Sequence, residues 1–205
     1  MKRSIYISTA LLCGALLISG REPLSAAQAS PQQLKESGKI LVTGQLVPFL
    51  IRRLPVSSFP SLPAPVADAL VRRGCYIPQT YEAHRPENVV HASLEHAGSS
   101  DWAVLCSVKG TVLLLVFFGD MSGDPEVLAS APETERLQAH DPSGVLGFNW
   151  GIDPASPRQV HDAQAGLERS RPLIDHDALS DSILERRTVY HFYSRGAWTL
   201  LGMPN

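Results

Sequence analysis

The chain is poor in most of what would announce an activity. Only three of its 205 residues are cysteine, 7% are aromatic, and 19% are charged with a net charge of −2. That balance excludes the basic footprint of a nucleic-acid binder, and the moderate charge excludes a disordered polyelectrolyte. No apolar run after the first twenty residues approaches membrane length: the longest, Thr111 to Phe118, is strand-sized. The chain has no H-E-x-x-H, H-x-H or zinc-ribbon spacing for a transition metal. It also has no G-x-S-x-G, S-x-x-K or P-loop for a nucleophile or a nucleotide. C-x-x-C is missing too, so dithiol redox chemistry has no local support.

What is there begins with an export signal. Lys2 and Arg3 precede an uncharged, mostly apolar run from Ile5 to Gly20. A polar stretch then ends in Ser25-Ala26-Ala27-Gln28-Ala29, with small residues at −3 and −1 for cleavage after Ala29. Residues 1–29 are therefore expected to be a signal peptide; a retained anchor is the rival, weakened by the shortness of the run. A lipidated Cys13 is disfavoured by the bulky Leu12 before it. The expected product is secreted or periplasmic, without a membrane span. It keeps Cys75 and Cys106, for which one intramolecular bridge is the default in an oxidising compartment and two buried thiols the alternative.

The remaining pattern predicts one α+β domain over residues 38–205, dominated by an antiparallel sheet with a few short helices, after a loose polar leader at 30–37. Lys39 to Leu50 holds a strand before Pro48, and the prolines from Pro55 to Pro63 suggest an extended surface crossing. A helix then starts near Pro63 or Pro65, buries Val66, Leu70 and Val71, and stops at Gly74. Asn88 to Glu95 alternates, with Val90, Ala92 and Leu94 inward. Trp102–Val108 and Thr111–Phe118 read as a hairpin about Lys109-Gly110 at the sheet centre. Asp124 is expected to cap a short helix through Ala129, Val145–Ile152 to be a strand, and Pro157–Leu167 a helix. Ile183–Tyr193 and Ala197–Leu201 suggest a second hairpin about Arg195-Gly196.

Among candidate sites, Asp175-His176-Asp177-Ala178-Leu179-Ser180-Asp181 comes first, since Asp175, Asp177 and Asp181 offer a hard cation several oxygens. Ala178 stands where calcium loops usually turn on glycine, so affinity in the weak class of about 10⁻⁴ to 10⁻³ M is expected, if any. The bland alternative is a solvated acidic turn with Asp181 as a cap. The histidines (His84, His91, His96, His140, His161, His176, His191) form no ligand pattern, and Glu133 with Glu135 is an unplaced acid pair. The basic pair Arg52-Arg53 is expected to be solvated.

Three segments carry a resemblance: Arg73-Gly74-Cys75-Tyr76-Ile77-Pro78-Gln79, Asn88-Val89-Val90 and Asp101-Trp102-Ala103-Val104-Leu105-Cys106-Ser107. Together with Asp175-His176-Asp177 and Tyr190 to Trp198, they resemble a group of uncharacterised exported bacterial proteins. That implies export and a single domain but no activity. Gly98-Ser99-Ser100-Asp101 before Trp102, and Asp175 to Asp181, are similar to the acidic loops of FG-GAP or VCBS-type propeller blades, which would imply calcium. Ser93, Glu95 and Ala97 depart from the ligand positions of that pattern, and the length is too small for a complete propeller.

The leading expectation is a non-catalytic protein that binds a protein or glycan at the cell envelope. The alternatives are an envelope hydrolase with a dispersed site and a calcium-stabilised structural module. A pocket gathering His161, His176 and acids would favour the enzyme, and an aromatic-rich patch the binder.

Overall fold

The computed structural model describes residues 32–119, 124–165, 174–183 and 187–202, so the expected signal peptide at 1–29 and Leu167 lie outside the described residues. Strands β1 (Leu34–Val42) and β2 (Gln45–Pro55) form a hairpin about Thr43-Gly44. Both turn residues have positive φ, 47° and 84°, the twist that a two-residue hairpin requires. A 3-10 turn at Val56–Ser58 leads to helix α1 (Ala64–Arg72), which opens on Pro63 and Pro65 as expected. There follow β3 (Tyr76–Gln79), β4 (Val89–Ala92), β5 (Asp101–Val108), β6 (Thr111–Phe117), β7 (Glu126–Pro132), β8 (Leu137–Ala139) and β9 (Leu146–Phe148). With β1 and β2 these make a nine-stranded sheet among the described residues, antiparallel except where β2 meets β9 at Phe49 and Leu50. A second, four-stranded antiparallel sheet runs β10 (Trp150–Ala155), β11 (Ala178–Ile183), β12 (Arg187–Ser194), β13 (Ala197–Gly202). Helix α2 (Pro157–Gln164) connects β10 towards β11 and opens on a capping box between Ser156 and Gln159. The architecture is sheet-dominated α+β, as the sequence predicts.

Alternation along β5 and β6 builds two cores on opposite faces of the large sheet. Ala103, Leu105, Val112, Leu114 and Val116 join Trp150, Ile152 and Leu179 of the small sheet in the layer between the sheets. Trp102, Val104, Cys106, Leu115 and Phe117 instead pack under Val66 and Leu70 of α1. A third cluster under α2 gathers Val160, Ala178, Phe192 and Leu201 on the far side of the small sheet. The layers are thus α1, large sheet, small sheet, α2. Cys75, just past the end of α1, is bonded to Cys106 of β5, with Cα atoms 5.3 Å apart. Closing that loop stabilises the fold by about 3–4 kcal/mol in the chain-entropy model.

Several local expectations are corrected. Leu34–Ser37, read as leader, is strand, because Lys35 to Ser37 pair with Leu50 to Arg52. Pro48 lies inside β2 instead of ending a strand. The prolines after it do not cross the surface extended, since Val56, Phe59 and Leu62 are buried against α1. On α1, Val66 and Leu70 are buried as expected, but Val71 is exposed and Ala69 faces the core. The segment after Asp124 is strand β7, not helix, because β6 offers it an edge from Thr111 to Val116. Val145–Ile152 is two strands in different sheets. Ile183 closes β11, so the last hairpin is β12–β13 about Arg195-Gly196.

Candidate functional site

Two interior strands of the large sheet, β2 and β5, each share one side between two partners. One edge of β2 pairs with β9 at Phe49–Leu50 and with β3 from Arg52 to Pro55. One edge of β5 pairs with β4 near Asp101 and with β3 at Ser107. Between β3 and β4 the chain leaves the sheet as a loop, Thr80 to Asn88, whose residues help to line three cavities.

That loop is held tightly. The Arg52 guanidinium donates to the carbonyls of Thr80, Tyr81 and Ala83 at 2.5, 3.1 and 3.2 Å. Gln79 and Glu87 exchange bonds across its neck, and Glu87 accepts from the Thr80 amide at 2.6 Å. Asn88, in the left-handed region at φ 69°, donates to Pro78 and Trp150 carbonyls and accepts from the Ile152 amide. Asparagine tolerates that conformation and its amide joins the two sheets there. Tyr81 stacks on His140 at 4.4 Å, and a Cβ on Gly147 would sit 2.5 Å from Cβ of Tyr81, so only glycine fits.

The largest cavity beside this loop, about 500 Å³, is lined by Glu82, His84, Arg85, Glu87 and Asp153 among others. Withdrawal from water pushes the Asp153 carboxyl above its usual range, Glu87 adds to the rise, and Arg85 opposes it. A second cavity of about 380 Å³ lies against Arg52, Tyr81, His140 and Asp141. There Ser143 donates to Asp141 through both its backbone amide and its hydroxyl, which lowers the Asp141 pKa. Because the serine hydroxyl serves the aspartate and not His140, this trio is not a nucleophilic triad.

The acidic run is not gathered into one site. Asp175 is exposed, Asp177 accepts from the Ser93 amide, and Asp181 lies on β11 with both oxygens engaged. Asp181 takes the Trp150 indole N–H at 2.6 Å and His191 Nε2 at 2.9 Å. Arg136 lies 4.2 Å over the Trp150 ring, and burial lowers its pKa from the usual value. No group of three or more His, Cys, Asp or Glu side chains among the described residues is placed to hold a metal. His161 is exposed on α2, His176 is buried with Nδ1 against the Asp177 carbonyl, and neither lines a described cavity. His91 stacks on Trp102.

Three other readings change. Arg53 is not solvated: it is buried and bonded to Glu133 through Nε and Nη2 and to Glu36 through Nη2. Glu133 also accepts from Ser107, while Glu135 is exposed, so the two acids share no site. Asp101, the buried first residue of β5, accepts from the amides of Leu94, Glu95 and Gly119 and from the Ser99 hydroxyl. Its two oxygens are thus occupied by three backbone amides and one hydroxyl.

The aromatic surface arises where the end of β6 meets β12 and β13. Phe118 follows β6, and Tyr193 and Trp198 are a cross-strand pair on β12–β13. Their ring centroids lie 5.0, 5.3 and 5.8 Å apart in tilted, edge-on and stacked geometry. All three rings are half-buried, and Trp198 Nε1 donates to Glu126 of β7 at 2.7 Å. Nothing in local sequence foretells this cluster, because Phe118 and Trp198 are eighty residues apart. Neither a protein-family model, nor a curated protein, nor a solved structure matches this chain. No described helix is long and apolar enough to cross a membrane.

Proposed function

We propose that this is an exported, non-catalytic binding protein that holds a protein or glycan of the cell envelope on the face formed by Phe118, Tyr193 and Trp198. The observation that carries this reading is the aromatic cluster itself. Its rings pack against one another and, for Phe118 and Trp198, against the inter-sheet core, so little rotamer freedom remains to be lost on binding. Half-exposed Tyr and Trp in such a setting are the residues that dominate interface energetics. The Glu126 contact fixes the indole and supplies an acceptor at the rim. Export is supported by the N-terminal pattern and by the Cys75–Cys106 bridge, which suits an oxidising compartment.

Trp198 provides its own probe, since the other two tryptophans, Trp102 and Trp150, are buried. Titrating the exported protein with envelope glycan and with envelope protein fractions should quench or shift its emission. Trp198→Ala should then lower retention on the active fraction at least tenfold, about 1.4 kcal/mol or more. Full retention by the Trp198→Ala, Tyr193→Ala double variant would overturn the assignment.

A second reading, an envelope hydrolase, has one observation in its favour: the cavity at Glu87 and Asp153 sets a carboxyl of raised pKa near a second acid. Hydrolysis of envelope glycan or peptide that vanishes in Asp153→Asn would establish it.

A further inference from the structure

We propose that the outer half of the β1–β2 hairpin, residues 40–47, is a lipid-surface contact that enters the headgroup zone of an anionic membrane. This inference is independent of the aromatic face. The hairpin is an arm. Among the described strands, Gln45 to Pro48 of β2 pair with β1 alone, and the other edge of β1 meets no described strand. The arm's tip reads Ile40-Leu41-Val42-Thr43-Gly44-Gln45-Leu46-Val47, without a charge.

The register shows what each face carries. Leu41 and Leu46 are cross-strand partners on one face, 70% and 67% exposed. Ile40 with Val47, and Val42 with Gln45, occupy the other face, where Val42 is also exposed. Apolar side chains on both faces select the occupant. A protein groove or a second copy docking on the ribbon covers one face or one edge and leaves the other face in water. A lipid interface surrounds the tip and covers both.

Charge sets the orientation. Lys39 lies on the face of Leu41, two residues behind it towards the body, where it meets lipid phosphates as the tip enters, and Lys35 follows on the same face four residues further back. Glu36, the acid between them, is turned to the opposite face and tied to Arg53 at 2.7 Å. The backbone sets the depth. Three residues per strand reach about 10 Å at ~3.3 Å each, the depth of interfacial insertion. The free strand edges need hydrogen-bond partners, so the tip stops among headgroups and water rather than in hydrocarbon.

The test is sedimentation of the exported protein with vesicles of phosphatidylcholine alone and with 30% phosphatidylglycerol, compared with Leu41→Ser, Leu46→Ser. Both leucines are exposed, so near-ultraviolet circular dichroism should be unchanged, and any residual leader is common to both proteins. We expect binding to the anionic vesicles that falls at least tenfold in the double variant. Lys35→Glu with Lys39→Glu should remove the anionic preference by a similar factor. Equal binding by wild type and the leucine variant, or none by either, would overturn the proposal. So would a concentration-dependent dimer that the leucine variant abolishes without any vesicle binding, which would make the arm an interface between copies.

Discussion

Two hairpins in this molecule are built alike and end differently. β1–β2 turns on Thr43-Gly44 and β5–β6 on Lys109-Gly110, each pair with positive φ at both residues. Both have strands rich in Leu, Val and Ile or Phe. Yet Leu105 and Leu114 are fully buried while Leu41 and Leu46 stand in solvent. Turn chemistry and β-propensity therefore fix the hairpin, and packing partners decide whether it becomes core. β5–β6 has α1 on one face and the small sheet on the other; the outer part of β1–β2 has neither. The two meet at one buried knot, where Arg53 of β2 and Ser107 of β5 share Glu133, whose amide donates to the Gly110 carbonyl.

The contrast can be broken most forcefully in the core. Leu114→Ala should destabilise by about 3–5 kcal/mol, since a close-packed layer on a central strand cannot collapse around the void. Leu46→Ala should stay within about 0.5 kcal/mol. Urea unfolding measures both, and comparable losses would show that the arm is packed in solution. Next comes the bridge. Cys75→Ser with Cys106→Ser should cost about 3–4 kcal/mol in the same assay, through the loop it closes beside β5. A loss below 1 kcal/mol would mean that strain cancels the chain entropy.

The knot between the hairpins follows. Glu133→Gln should cost about 3 kcal/mol, the low end for a broken buried pair because Glu36 keeps Arg53 partnered. Unchanged stability would leave the two hairpins energetically separate. Calcium should do less: melting with EDTA and with millimolar calcium should differ by no more than about 1–2 kcal/mol, given that both oxygens of Asp181 are already bonded. A large rise lost in Asp177→Asn would restore a metal site.

The smallest effect is a titration. The Asp153 carboxyl, raised by desolvation and Glu87, favours the fold while protonated. Its contribution is complete below the ordinary value of about 3.9 and is lost as pH rises through the raised one. NMR should place its midpoint above the ordinary range, lower in Glu87→Gln and higher in Arg85→Ala.

What was legible in sequence follows the range of the forces involved. The alternation of Val90, Ala92 and Leu94, the β5–β6 hairpin, the start of α1 and the Cys75–Cys106 pairing all rest on short periods, turns or compartment chemistry. Strand β7 was misread because Asp124-Pro125 is a sound local helix start, and only the open edge of β6 overrides it. The arm was missed because Thr43-Gly44 is a less usual turn pair than Asn-Gly, and Pro48 suggested an end. The acidic run looked like a ligand set because spacing along the chain says nothing of β-pleat. On β11, the two oxygens of Asp181 are taken by Trp150 and His191. Arg52, Asn88 and Glu133 each have a partner 28 to 80 residues away, and the aromatic face spans eighty.

Hydrogen–deuterium exchange of the protein, with and without envelope extract, bears most directly on the binding assignment. The account predicts new protection around Phe118 and along Tyr193 to Trp198, with Thr80 to Asn88 and Gly151 to Asp153 unchanged. Protection confined to that loop and to Asp153 would contradict it and move the working site to the cavity of Glu87.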